Sequence, residues 1–184
     1  MSAHSNQALD NLFEGNTRFV ASKPIASNSP AHRATLVNGQ APIAAILCCA
    51  DSRVAPEIVF DQPLGNLFVC RIAGNVVTDE IIESLEYAVG PLGCSLIVVM
   101  GHTGCGAVGL AVDSHPTEGV FSLVDIPNDS EDAVAFNAEQ GIYKLISGSI
   151  VIEKLVKSNE IAVVAGVYDM ESGKFDAVAQ TQLQ

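Results

Sequence analysis

Hydrophobic and polar positions alternate along this chain in two rhythms, and their order predicts an α/β architecture. Residues 7–22 carry Leu9, Leu12, Phe13, Phe19 and Val20 near a helical period, which predicts an amphipathic N-terminal helix. Residues 23–40 are rich in Pro, Ser and Asn and read as an extended linker. Apolar runs then follow at 43–49, 67–70, 95–100 and 161–168, each short enough for a buried strand. Between them stand helical signals. Pro56 suits the first turn of a short helix over 56–60. Thr78 is an N-cap candidate before Asp79 and Glu80, followed by Ile81, Ile82, Leu85, Ala88 and Val89, and Gly90-Pro91 ends that helix. Gly104-Cys105-Gly106-Ala107-Val108 opens a helix of small residues. Residues 113–132 are polar and acidic and read as a loop. A helix returns over 133–146, breaks at Ser147-Gly148-Ser149, and a shorter one runs to Lys157. Glu171-Ser172-Gly173-Lys174 is a turn signal, so Phe175–Val178 pairs back antiparallel.

Strands alternating with helices predict a mixed, mainly parallel sheet of four parallel strands plus an antiparallel edge strand, flanked by helices. We read 1–184 as a single domain, with an N-terminal helical arm and linker over 1–40 and an α/β core over 41–184. The arm either crosses to a neighbouring subunit or folds back on its own.

Composition narrows the function. A formal net charge of −12 argues against nucleic acid or an anionic membrane as partner. Five cysteines, an odd number in an acidic chain, do not suit a secreted disulfide framework. No signal peptide or membrane-length apolar run is legible, so a cytoplasmic location is expected.

The chemistry gathers in two places, Cys49-Ala50-Asp51-Ser52-Arg53 and His102-Thr103-Gly104-Cys105. Each follows a predicted strand, and in an open α/β sheet the carboxyl ends of strands form the functional crevice. Two thiolates and an imidazole there make a three-ligand metal site; tetrahedral zinc would keep a fourth position open. Cys48 and Cys49 are neighbours in one strand and face opposite sides, so only one can enter the crevice. Cys70 and Cys94 read as small buried hydrophobes.

Cys49-x-Asp51-Ser52-Arg53 with His102-x-x-Cys105-Gly106 resembles the β-class carbonic anhydrases. Gly39-Gln40-x-Pro42, as in the plant-type branch, Phe68, Arg71, Ala73-Gly74-Asn75 and Glu86-Tyr87-Ala88-Val89 extend the resemblance, most strongly over residues 39–109. The resemblance implies zinc held by Cys49, His102 and Cys105, with Cys48 on the other face. It implies that Asp51 and Arg53 form a catalytic dyad orienting a zinc-activated hydroxide, and that the reaction is reversible hydration of carbon dioxide to bicarbonate and a proton. Gln40, Phe68, Ala73, Tyr87 and Gly106 would bind substrate, with residues from the partner of a homodimer or a multiple of dimers. Arg71 and Tyr168 match two residues of a regulatory bicarbonate site found in some members, but Ile46 stands where those members carry Trp. Hydrolysis of carbonyl sulfide or carbon disulfide on the same scaffold, or a non-catalytic zinc protein that senses bicarbonate, are the alternative functions.

Overall fold

The computed structural model describes residues 1–127, 130 and 132–181. Asn128, Asp129 and Glu131, part of the acidic segment read as a loop, lie outside the described residues. Four parallel strands, β1 (Ala44–Cys48), β2 (Leu67–Arg71), β3 (Leu96–His102) and β4 (Ala162–Tyr168), form one sheet with β5 (Phe175–Gln180), which pairs antiparallel to β4. The strand order is β2-β1-β3-β4-β5. The chain therefore steps from β1 to one side and then returns to lay β3 on the other. That reversal places a topological switch point at the carboxyl ends of β1 and β3, where open sheets of this kind bind ligands.

Helices cover both faces, which is why β1 and β3 are buried at every position. On one face Ile46, Cys48, Val98, Met100 and Val164 pack with α1 (Ala3–Val20) and α3 (Pro56–Val59). On the other, Ala45, Leu47, Ile97, Val99 and Val163 meet α4 (Asp79–Val89), α6 (Ala133–Gly148) and α7 (Ile150–Lys157). Thr78 caps α4 as expected, its hydroxyl accepting from the Ile81 N–H. Ser149 caps α7 in the same way through the Ile152 N–H, so the predicted break is a helix restart. A third cluster, around Val76, Val108, Ala111 and Val124, closes the carboxyl end of the sheet with α5 (Gly106–Ser114).

Helix α1 begins earlier than residue 7, because Ser2 caps it by accepting from the Ser5 N–H. Of the two alternatives for the arm, the structure has the one in which it folds back on its own chain. Leu12 is fully buried against the sheet, a contribution of about 1.5–3 kcal/mol. Asn16 clamps the helix in place: its amide donates to the carbonyls of Val59 and Gly173, and its oxygen accepts from the Phe175 N–H. The linker, which contains the short α2 (Pro30–Thr35), is tied down by Asp61, whose carboxylate accepts from Arg18 and from the N–H groups of Ile25 and Ala26.

Gly15 sets how closely α1 approaches, since a Cβ there would run into the Phe60 backbone carbonyl. Gly15→Ala gains up to about 1 kcal/mol of helix propensity, but the obstacle is backbone and cannot turn aside. We expect a net loss of about 1–2 kcal/mol in denaturant unfolding. Gly109→Ala, in α5 with open space around its Cβ position, should instead gain a few tenths to about 1 kcal/mol. Equal effects of the two substitutions would contradict the packing described for α1.

Candidate metal centre

The β1–β3 register assembles the candidate ligands. Cys48 pairs with Met100, so Cys49 emerges from β1 beside the last residues of β3, which end at His102. The next turn delivers Cys105 at the start of α5. The three ligating atoms lie within 4.8 Å of one another, and all three residues are buried. The sulfurs of Cys49 and Cys105 are 3.9 Å apart. Two zinc–sulfur bonds of about 2.3 Å at a tetrahedral angle put sulfurs roughly 3.8 Å apart. Among the described residues two buried side-chain polar atoms lack a hydrogen-bond partner, His102 Nε2 and Asn75 Nδ2. The first belongs to the ligand group. His102 Nδ1 is 3.1 Å from the Thr103 carbonyl oxygen; as that oxygen can only accept, Nδ1 carries the hydrogen and Nε2 presents its lone pair. Spacing, burial and tautomer all fit a metal ion.

The thiols are set up as a pair. Cys49 is held down, first because the Cys105 thiol donates to it and also through the Gly74 N–H, which lies 3.3 Å from its sulfur. The same contact pushes Cys105 up. At 3.9 Å two sulfurs favour holding one proton between them over ionising together, and a cation would displace it. The amino end of α5, which begins just after Cys105, adds partial positive charge beside that sulfur. Cys48, on the opposite face, is driven up to about 12 by burial and is unsuited to ligation, as the alternation of the strand requires.

Asp51 and Arg53 stand at the rim. Arg53 Nε donates to Asp51 Oδ1 at 2.9 Å and its terminal nitrogen to Oδ2 at 2.7 Å, while the Arg53 N–H also reaches Oδ1. This fork holds the carboxyl far below the usual carboxylate range. Asp51 Oδ2 is 3.9 Å from His102 Nε2, so the carboxylate borders the point where the ligand atoms converge. Arg71 donates to the carbonyls of Cys49 and Asp51 and fixes the loop backbone between them.

The remaining expected site residues divide. Gly106 opens α5 next to Cys105, and Ala73 lies in a single helical turn whose Gly74 donates to Cys49. Gln40 is exposed in the linker. Phe68 and Tyr87 pair with each other, ring centroids 6.1 Å apart, at the open edge formed by β2 and α4. Phe68 packs with the second cluster, whereas the thiol ligands pack in the third. Sequence reasoning gave no role to the Gly74 N–H or to Arg71 as a loop anchor; the left-handed backbone of Gly74 and Asn75 (φ 71° and 44°) is the feature that aims that N–H. A groove of about 850 Å³ opens at the other end of the strands, lined by His4, Ile43, Cys94 and Glu160 among others, and none of the three ligands lines it.

Residues 44–127 match the family described as carbonic anhydrase. The chain is 37% identical over 182 residues to carbonic anhydrase 2 of Mycobacterium tuberculosis, covering 89% of this chain and 87% of that one. The chain belongs to the β-class carbonic anhydrases. It is 51% identical over 98 residues to the carbonic anhydrase of Mycolicibacterium smegmatis, covering 53% of this chain and 48% of that one. In fold it is similar to the β-carbonic anhydrase of Coccomyxa in complex with acetazolamide, with a TM-score of 0.72 and 23% identity over 99% of this chain and 90% of that one. Carbonic anhydrases hydrate carbon dioxide, and this enzyme presents a Cys-His-Cys group capable of holding the metal that such chemistry uses. No helix among its described residues is long and apolar enough to cross a membrane.

Cys49→Ser is expected to lose most of the bound metal and Cys48→Ser to retain it, as read by metal analysis of the purified variants; the reverse pattern would place the strand register off by one. Calorimetric titration with zinc near pH 7 in buffers of different ionisation enthalpy should show release of about one proton, the one shared by the thiols. Release of two would mean that neither sulfur is ionised beforehand.

Proposed function

We propose that the whole chain acts as one domain that binds one zinc ion through Cys49, His102 and Cys105 and hydrates carbon dioxide reversibly to bicarbonate. The observation that carries this reading is the buried, unpartnered Nε2 of His102 facing two thiols at a zinc-like spacing. Zinc bound there would lower the pKa of a water molecule and supply the nucleophile.

The chain's own residues do the rest. Two thiolates neutralise the formal charge of the ion, so they acidify water less than imidazoles would, and orientation must compensate. Asp51 supplies it: its carboxylate accepts the hydrogen bond of the nucleophile and turns a lone pair towards the substrate. It can do this only while ionised and fixed, and the Arg53 fork secures both. Val76, Val108 and their neighbours give the site an apolar wall, suited to a small apolar gas. The N–H groups at the start of α5, beginning at Gly106, favour the negative charge that builds on the product.

Gln40, Phe68, Ala73 and Tyr87 complete the substrate pocket in this reading across an interface with a second copy, in a homodimer or a multiple of dimers. Tyr87 is 49% exposed in the single chain, and its pairing with Phe68 at an open sheet edge leaves an aromatic surface for a neighbour. Related folds include two β-carbonic anhydrases of Sordaria macrospora described as tetrameric. All five cysteines are free thiols, which suits a reducing compartment and a cytoplasmic enzyme.

Stopped-flow hydration of carbon dioxide on zinc-quantified protein tests the reading; a zinc-loaded chain without turnover would refute it. Because the folded pKa of Asp51 is depressed, its ionised form and the stability it lends are complete above the unfolded value of 3.8 and are lost only as pH falls through the lower folded value. Asp51 is therefore ionised throughout the assay range, and a rise in activity across roughly pH 7–9 reports the nucleophilic water. Arg53→Ala should keep its zinc while losing roughly 10- to 100-fold in activity; wild-type turnover in that variant would remove the orienting role.

A further inference from the structure

Helix α6 presses its small and branched side chains directly onto β3. A Cβ at Gly101 would come within 2.9 Å of Val134 Cγ1, and one at Gly141 within 2.8 Å of Val99 Cγ1. Val134, Ala138 and Gly141 follow the i, i+4, i+7 rhythm of a face turned to the sheet. Asn137 lies on that same face, only 6% exposed, at a position where the pattern calls for an apolar side chain. Burying an amide there costs free energy unless it is hydrogen-bonded. Its Nδ2 donates to the Gly74 carbonyl oxygen at 2.8 Å. The orientation of the amide follows from its partner, since a carbonyl can only accept.

Gly74 is the residue whose own N–H reaches the Cys49 sulfur at 3.3 Å. One residue thus receives a hydrogen bond at its carbonyl from α6 and gives one at its N–H to a candidate ligand. Both Gly74 and Asn75 adopt left-handed backbone angles, which glycine adopts freely and asparagine more readily than other side chains. Asn137 holds the carbonyl between them. A hydrogen bond to a thiolate withdraws electron density from its lone pairs, and partners one step outside a metal's ligands tune affinity and electronic character in this way.

We propose that Asn137 is a positioning residue for the metal centre: by holding the Gly74 carbonyl, it fixes the backbone of that residue, keeps the Gly74 N–H on the Cys49 sulfur and so sets the donor strength of that thiolate. The inference rests on the reading of Cys49, His102 and Cys105 as metal ligands. It also assigns a reason for the polar residue in the buried stripe of α6 and for the close approach of that helix to Gly101, one residue before His102.

The test uses the full chain loaded with zinc or cobalt. Asn137→Leu replaces the amide by a bulkier apolar group of the same branched shape, and Asn137→Ser, a milder change, keeps a hydroxyl too short to reach Gly74. Ile142→Val, on the same helix but packed in the second cluster, serves as a control for loss of packing alone. In the cobalt form the thiolate-to-metal charge-transfer band should move to lower energy in both Asn137 variants, because the sulfur lone pairs lose a donor. Zinc affinity by chelator competition should fall about tenfold, because the loss of a fixed Cys49 position outweighs the stronger donation of the freed sulfur. Ile142→Val should leave band and affinity unchanged at a comparable loss of thermal stability. If Asn137→Leu does not fold, Asn137→Ser carries both measurements. A wild-type band and affinity in a folded Asn137 variant would overturn the proposal alone. A wild-type chain that takes up neither metal would overturn the ligand reading and this inference with it.

Discussion

The register between β1 and β3 is the constraint from which the site follows. Cys48 opposite Met100 fixes Cys49 beside the end of β3, and a slip of one residue would turn Cys48 into the crevice and Cys49 away. That register is enforced from both sides, because every position of β1 and β3 is buried and has a facing partner. It is enforced along the sheet as well, since α6 can approach β3 only where Gly101 and Gly141 leave room. A core packed this closely transmits its geometry to the loops at its end. The ligand atoms converge within 4.8 Å without any of them leaving a strand end or the first turn of a helix.

Charge is handled by the same economy. Two sulfurs that resist ionising side by side would be matched by a cation, and Asp51 is matched to Arg53. Arg71 is committed to the carbonyls of Cys49 and Asp51, so it steadies the loop that presents both groups. The site that results is apolar on one side and charged on the other, in keeping with a gas that enters and an anion that leaves. The groove at the amino end of the strands is lined by none of the three candidate ligands.

The arm shows how a polar residue can specify an apolar contact. Leu9 and Leu12 would bury themselves on many surfaces, but Asn16 has hydrogen-bond partners on three separate segments, at Val59, Gly173 and Phe175. Its amide is satisfied in one docking position, and an unsatisfied buried amide elsewhere would cost about as much as the hydrophobic gain of one leucine. With α1 covering its own sheet, the aromatic pair Phe68–Tyr87 lies at the edge strand β2, whose outer side is unpaired.

By itself the sequence determined the kinds of elements and their order, because short apolar runs between capped helices leave few other readings: Thr78, Pro56 and the turn at Glu171–Lys174 act locally, on neighbours within a few residues. It also determined the ligand types, since Cys49, His102 and Cys105 carry their chemistry wherever they are placed. The acidic segment and the first residues of α1 were less legible, as a cap such as Ser2 is weak evidence without a partner to see. Tertiary structure decided what depends on residues far apart in the chain. Sheet order is one case: nothing local in 44–102 says that β3 returns past β2 to lie on the far side of β1, and that reversal is what makes the crevice. The fate of the arm is another, because its apolar stripe states that a surface is needed but not which surface. Asn137 is the third, a polar letter in an apolar stripe whose partner, Gly74, stands 63 residues earlier and is brought to it only when helix and sheet close together.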